Sequence, residues 1–187
     1  LISQTSRVIC EGEVLQFQVA ALETYSLENY FKIITGKTAA LAAAATKGAA
    51  MLAGRDGDTI AALEIYGLEY GRAFQIQDDL LDLMSDSDTI GKPVGGDLRE
   101  GKATLPVLYL LEKEISEARE ILARRASQPN DVTRMRELVT LHGADHASKL
   151  EIRRRCENAV KALNVLPVSP ARLALEDLAM RETERVI

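Results

Sequence analysis

The sequence predicts an all-α protein, and three observations carry that prediction. Apolar residues recur at intervals of three and four along almost the whole 187-residue chain. No stretch keeps the apolar and polar alternation of a half-buried strand. The breaks between helical runs collect the glycine, proline, serine and aspartate that end helices and make turns. One domain suffices at this length, so residues 1–187 read as a single all-helical domain.

The first helix covers residues 1–22, with Val8, Leu15, Val19 and Leu22 on one face and Gly12 where a neighbour can come close. A second opens at Ser26, a suitable N-cap, and runs through YFKIITGKTAALAAAATKGAAML to the glycines at 54 and 57. Its alanines favour helix and permit close packing. A third starts near Asp58 or Thr59 and ends near Ser85. The stretch SDSDTIGKPVGGDLREGK then reads as a long loop, and loops of that length in a compact domain are often functional. TLPVLYLLEKEISEAREILARR reads as one helix with Pro106 in its first turn, ended by SQPND. A short helix to Gly143, another over 144–163, a turn at VLPVSP and a last helix complete the chain.

The net charge of −5 supplies no basic field to draw the chain to nucleic acid or to an anionic membrane surface. EIRRRC accordingly reads as a solvated helix face. Cys10 and Cys156 lie far apart without metal-ligand spacing, as expected of reduced thiols in a reducing compartment. No apolar stretch approaches the roughly 20 residues of a membrane span, and no signal-peptide pattern is present. The expectation is a cytoplasmic protein. The chain begins at Leu1 and enters mid-helix, so it reads as part of a longer gene product.

AFQIQDDLLDLM, residues 73–84, places three aspartates in an otherwise buried-looking helix. At about 100° per residue, with Asp78 at zero, Asp82 falls near 40°, Gln75 near 60° and Asp79 near 100°. Phe74, Ile76, Leu80, Leu81, Leu83 and Met84 fill most of the remaining circumference. A helix apolar nearly all round packs among others, so its acidic stripe is expected to face an interior cavity. Ionised carboxylates there repel one another and lose hydration unless a cation offsets them. Oxygen donors without histidine or cysteine favour Mg²⁺, which takes phosphate oxygens among its other ligands. The alternative is that these aspartates cap a helix end or pair with basic residues such as Arg72.

Downstream, Gly91-Lys92 and Gly101-Lys102 flank Asp97. Two mobile ammonium groups, each beside a glycine that lets backbone approach, suit a diphosphate clamp. A solvated surface loop explains the lysines but not their nearness to the stripe. TGKTAAL looks like a phosphate-binding loop, but Phe31 stands where the pattern needs glycine and the flanks are helical, so that reading fails. Lys37, among Ile33, Ile34 and Leu41, is expected to reach the same cavity or to snorkel. His142 and His146 have a zinc-like spacing. Gly143 interrupts it and no glutamate follows His142, so they read as ordinary surface or core histidines.

Together these residues resemble the trans-isoprenyl diphosphate synthases. GRAFQIQDDLLDLMSDSDTIGKPVGGDLREGKATLP is similar to the family's second aspartate-rich motif, YFKIITGKTAAL to its lysine-threonine segment, and CEGEVLQFQ to the glycine-glutamate-to-glutamine stretch before it. The C-terminal segment resembles the family's ending less specifically. The resemblance implies an isoprenoid synthase-type helical bundle around a central cavity. It implies Mg²⁺ held by Asp78 and Asp82 with Asp79 in support, and diphosphate held by Lys37, Gln75, Lys92 and Lys102. Thr38 and Gln16 would line the site. The implied reaction joins an allylic prenyl diphosphate to isopentenyl diphosphate, in a homodimer whose apolar product brings it against membranes. The wording of IITGKTA and GGDLREGKATLP is closer to medium- and long-chain synthases. The family's first aspartate-rich motif, with its following arginine pair, is absent. The N-terminal helices of the bundle are therefore expected to be missing from this sequence, and these residues alone to be inactive. The competing class is a non-catalytic regulatory or scaffold subunit of a heteromeric synthase.

Overall fold

The computed structural model describes residues 1–85 and 94–185, and every regular element among them is helical. α1 (Ile2–Leu22) leads to α2 (Leu27–Ile34), whose N-cap Ser26 accepts a hydrogen bond from the Asn29 amide at 3.1 Å. A five-residue π-helical turn (Thr35–Ala39) then joins α2 to α3 (Ala40–Leu52) in one unbroken rod. α4 (Gly57–Met84) begins under the side chain of Asp56, which accepts from the Thr59 amide at 2.8 Å. The cap therefore lies two residues before the earliest start expected from sequence.

α4 is the central element, with α3 along one flank and α9 (Ala144–Ala162) along another. The contact with the rod of the π turn and α3 is built on missing side chains. A Cβ placed on Gly71 would lie 2.5 Å from the Ala39 Cα, and one on Gly67 2.5 Å from the Ala43 Cα. α1 crosses the π turn in the same manner, since a Cβ on Gly12 would stand 2.6 Å from the Lys37 backbone nitrogen. The glycine expected to admit a neighbour does so.

Behind the site, Ala73, Ile76 and Leu80 of α4 pack with Tyr30 and Ile34 of α2 and with Ile152 and Cys156 of α9. Leu105 and Leu108 of α6 (Leu105–Glu112) join this cluster. A second cluster, including Leu110, Ile121, Met135 and Val139, ties α6 to α7 (Ser116–Ala123) and α8 (Asp131–Leu141). α10 (Pro170–Arg181) closes the chain, capped by Ser169. Burying each large aliphatic side chain is worth about 1.5–3 kcal/mol, so these clusters fix where the α4 backbone runs.

Four expectations need correction. The segment 104–125 is two helices, because Glu114 takes a left-handed conformation (φ 57°) between them. The segment 85–102 is not loop throughout, since α5 (Gly96–Arg99) forms one turn after Gly95 at φ 76°. Leu22 is exposed while Val19 is buried, because α1 presents Val14, Phe17 and Leu22 outward. Arg155 of EIRRRC is largely buried between Glu69 and Glu151 rather than solvated; Arg153 and Arg154 are exposed.

Candidate active site

The aspartate stripe rides on α4, and the structure divides it in two. Gln75 and Asp79 stand about 40° apart on the helix circumference and turn toward α2 and the π turn. Both line a cavity of about 70 Å³ with Gln16, Tyr30, Lys37, Asp97 and Lys102. Asp78 and Asp82 lie on the neighbouring arc, are partly exposed, and do not line that cavity. The expectation that all three carboxylates face one interior space holds for Asp79 alone, because a 100° step between adjacent residues carries Asp78 off the cavity face.

Asp79 is held by two hydrogen bonds: the Tyr30 hydroxyl donates to Oδ2 at 2.7 Å, and the Gln75 amide donates to Oδ1 at 2.8 Å. Gln75 in turn accepts from the Thr38 hydroxyl at 2.7 Å, so the lysine-threonine segment and the aspartate motif share one polar chain. Burial, then the nearby charge of Asp97, pushes the Asp79 carboxyl up to about 7 despite these hydrogen bonds. Burial also raises Asp78 and Asp82. For Asp78 an ion pair with Arg185 at 3.1 Å opposes the rise, and for Asp82 a hydrogen bond from the Asp97 amide at 3.1 Å does so. The partner of Asp78 is thus Arg185; Arg72, the partner suggested by sequence, instead binds Glu69 and Thr35.

On the opposite wall, the Lys37 ammonium lies 3.3 Å from both the Gln16 side-chain oxygen and Glu13. Lys102 contacts Asp97 at 2.9 Å and Glu100 at 2.6 Å. Burial works against its charge, but those two carboxylates outweigh it and hold its pKa above that of an ordinary lysine. Lys92 lies outside the described residues. Ala20, Tyr25, Ile33 and Ile34 complete the cavity with apolar surface.

Sequence reasoning missed two members. Tyr30 stands seven residues before Lys37, two helical turns, so the helix phase set by the Ser26 cap could have placed it on the same face. Asp97 was visible as an acidic residue between the two lysines. Its place in the cavity depends on α5 folding back so that the Gly95 amide donates to the Asp82 carbonyl at 2.8 Å.

The stripe offers oxygen donors only, and burial disfavours the charge of Asp78, Asp79 and Asp82. Such a set fits a hard divalent cation whose remaining ligands come from phosphate. Among the described residues, no three of His, Cys, Asp and Glu stand closely enough together to hold a metal ion by themselves.

Residues 1–141 match the family described as polyprenyl synthetase. The chain belongs to that family. It is 36% identical to the all-trans-nonaprenyl-diphosphate synthase (geranyl-diphosphate specific) of Rhodobacter capsulatus, over 95% of this chain and 55% of that protein. It is 40% identical to a short chain isoprenyl diphosphate synthase of Methanothermobacter thermautotrophicus, with the same coverage, 95% and 55%. The fold superposes with a TM-score of 0.90 on a Caulobacter crescentus polyprenyl synthase complexed with calcium and isoprenyl diphosphate, at 39% identity, covering 98% of this chain and 57% of that one. The chain thus spans about half the length of the relatives it matches. Within this polyprenyl synthetase chain, Thr38 of the π turn is joined to Asp79 of α4 through Gln75. No helix among the described residues is long and apolar enough to cross a membrane.

Proposed function

We propose that this chain supplies the diphosphate- and metal-binding half of a prenyltransferase that joins an allylic prenyl diphosphate to isopentenyl diphosphate. The observation that carries this reading is the convergence of Lys37, Gln75, Asp79, Asp97 and Lys102 on one cavity whose remaining wall is apolar. That is a charged end for a diphosphate beside a dry end for a hydrocarbon. Lys37 and Lys102, with Lys92, hold the diphosphate oxygens and stabilise the charge that grows on them as the allylic carbon–oxygen bond breaks. Gln75 keeps Asp79 and Thr38 in fixed relation. Ile33, Ile34 and Tyr25 keep water from the allylic cation until the double bond of isopentenyl diphosphate attacks it and a proton is lost. Asp78 and Asp82, with Asp79 behind them, would hold Mg²⁺, which when bound neutralises the departing diphosphate. A scaffold subunit has no use for a carboxylate as costly to bury as Asp79, so catalysis is the favoured reading.

The reading extends to a medium- or long-chain product, a cytoplasmic homodimer, and binding without turnover by these 187 residues alone. Support for the longer product comes from the wording of the motifs; the relatives include both a nonaprenyl and a short-chain synthase. The test is calorimetric titration of the chain with geranyl diphosphate, with and without Mg²⁺, followed by addition of isopentenyl diphosphate. Magnesium-dependent binding is expected, lost in Asp78→Ala and Asp82→Ala, with no condensation product. Binding indifferent to magnesium would sink the site assignment, and condensation would overturn the claim of inactivity.

A further inference from the structure

The π turn that presents Lys37 is held from behind by a closed ring of side chains that never touches the cavity. A π turn closes its hydrogen bonds over one more residue than an α-helix and is disfavoured on its own, so something outside the helix must hold it. The Thr35 hydroxyl, at the start of the turn, accepts from Arg72 Nε at 2.9 Å. Thr38, near its end, bonds Gln75, one turn further along α4. The spacing of 35 and 38 on the π turn is matched by 72 and 75 on α4. Arg72 is itself fixed by an ion pair to Glu69. Arg155 of α9 reaches both Glu69 oxygens at 3.1 Å and bonds Glu151 at 2.7 Å. The Arg155 guanidinium also covers the ring of Phe31, with Cζ 4.9 Å from its centroid. Phe31 lies one turn before Thr35 on the same rod. The path Phe31, Arg155, Glu69, Arg72, Thr35 therefore leaves the rod and returns to it, bracketing the turn on which the π segment begins.

This arrangement is costly as pure scaffolding. Glu69 is only 8% exposed, and taking its carboxylate and two guanidiniums out of water spends much of what their attraction returns. An apolar patch would hold three helices together at least as well. What directional, forked ion pairs add is register. None of these five residues lines the cavity, so none contacts substrate there.

We propose that Arg72 is a positioning residue. Through Thr35, and backed by Glu69 and Arg155, it sets the register of the π turn and so the direction in which Lys37 and Thr38 meet the diphosphate. The inference rests on the proposed function, since it assigns the reason for the turn to diphosphate binding.

The variants are Thr35→Val, which keeps shape and loses the hydroxyl, Arg72→Met, and Thr35→Ser as the conservative rescue. Two measurements separate positioning from mere stability: amide hydrogen exchange of residues 35–40 in the free chain, and titration with inorganic diphosphate in Mg²⁺. Thr35→Val and Arg72→Met are expected to speed exchange in 35–40 while core amides of α4 and α9 exchange as in the parent chain. Both should weaken diphosphate at least about tenfold, as expected when loss of one charge-assisted hydrogen bond frees the turn. Thr35→Ser should restore both readouts. Unchanged exchange at 35–40 overturns the proposal, as does faster exchange with undiminished affinity. A parent chain that binds no diphosphate overturns the proposed function and this inference with it; a parent that binds beside variants that bind equally overturns only this one.

Discussion

Replacing Tyr30 by phenylalanine removes one hydroxyl and leaves a buried carboxylate oxygen, Asp79 Oδ2, without the donor that stood 2.7 Å away. The penalty depends on pH, and its sign follows from the direction in which folding moves the Asp79 proton. Folding raises that carboxyl from 3.8 to about 7. The folded chain therefore binds the proton more tightly than the unfolded chain. The stability this contributes is complete below about pH 4 and is lost as pH rises through about 7. At about 1.4 kcal/mol per tenfold change in proton affinity, ionising Asp79 in the folded chain costs about 4 kcal/mol. The Tyr30 hydroxyl is one of two groups that limit this cost. At pH 5, where Asp79 is protonated, Tyr30→Phe should lose an ordinary hydrogen bond, about 1 kcal/mol. At pH 8.5 it loses a bond to a charged acceptor, about 2–3 kcal/mol. Urea unfolding of both chains at the two pH values reads the difference, which cancels every titration the two chains share. Adding Mg²⁺ should stabilise the parent more at pH 8.5 than at pH 5, since burial raises Asp78 and Asp82 as well and ionised carboxylates are the better ligands. A penalty equal at both pH values, or larger at pH 5, would refute the placement of the proton on Asp79.

Gly71→Ala should lower stability by about 2 kcal/mol, or about 6 °C in melting temperature at this chain length, because the new Cβ meets the Ala39 backbone at 2.5 Å. An unchanged melting temperature would mean that the π turn and α4 do not approach as described. Exposed Cys10 should react promptly with a thiol reagent. Buried Cys156, whose thiol desolvation pushes up to about 12, should stay silent until denaturant is added, and two fast thiols in the folded chain would contradict its burial. Ser26→Ala should cost about 1 kcal/mol by leaving the Asn29 amide without its cap, read in the same urea experiment.

What the sequence made legible was local, and what it hid depends on distant partners. The spacing of apolar residues located α1, the α2–α3 rod and α4, and Ser26, Pro106 and Gly143 announced themselves by capping and turn chemistry. The left-handed Glu114 carried no such mark, since glutamate gives no sign of a turn. The π turn was equally silent: Thr35 and Thr38 read as ordinary helix until Arg72 and Gln75 are seen opposite them. Lys37, Gln75 and Lys102 all line the cavity; the lysines were singled out by residue type and neighbours, and Gln75 by its helical arc and the family resemblance. Tyr30, Asp97 and Arg185 were not, because their roles exist only once α2, α5 and the C-terminal residues are folded against α4. Arg155 was misread for the same reason, since three consecutive arginines look alike until one of them meets Glu69.

The glycine-lined crossings at Gly12, Gly67 and Gly71 bear on how the cavity responds to heat and to mutational drift. Where side chains separate two helices, warming or a changed rotamer alters the gap gradually. Here main chain approaches main chain with only small side chains beside it, leaving little between the helices to compress or rearrange. The distance between the wall that carries Lys37 and the wall that carries Asp79 is thus gauged by the backbone, like a machined stop. Substitutions elsewhere in the core can soften or stiffen the protein without resetting that gauge, and the cavity should keep its width until the helices part altogether.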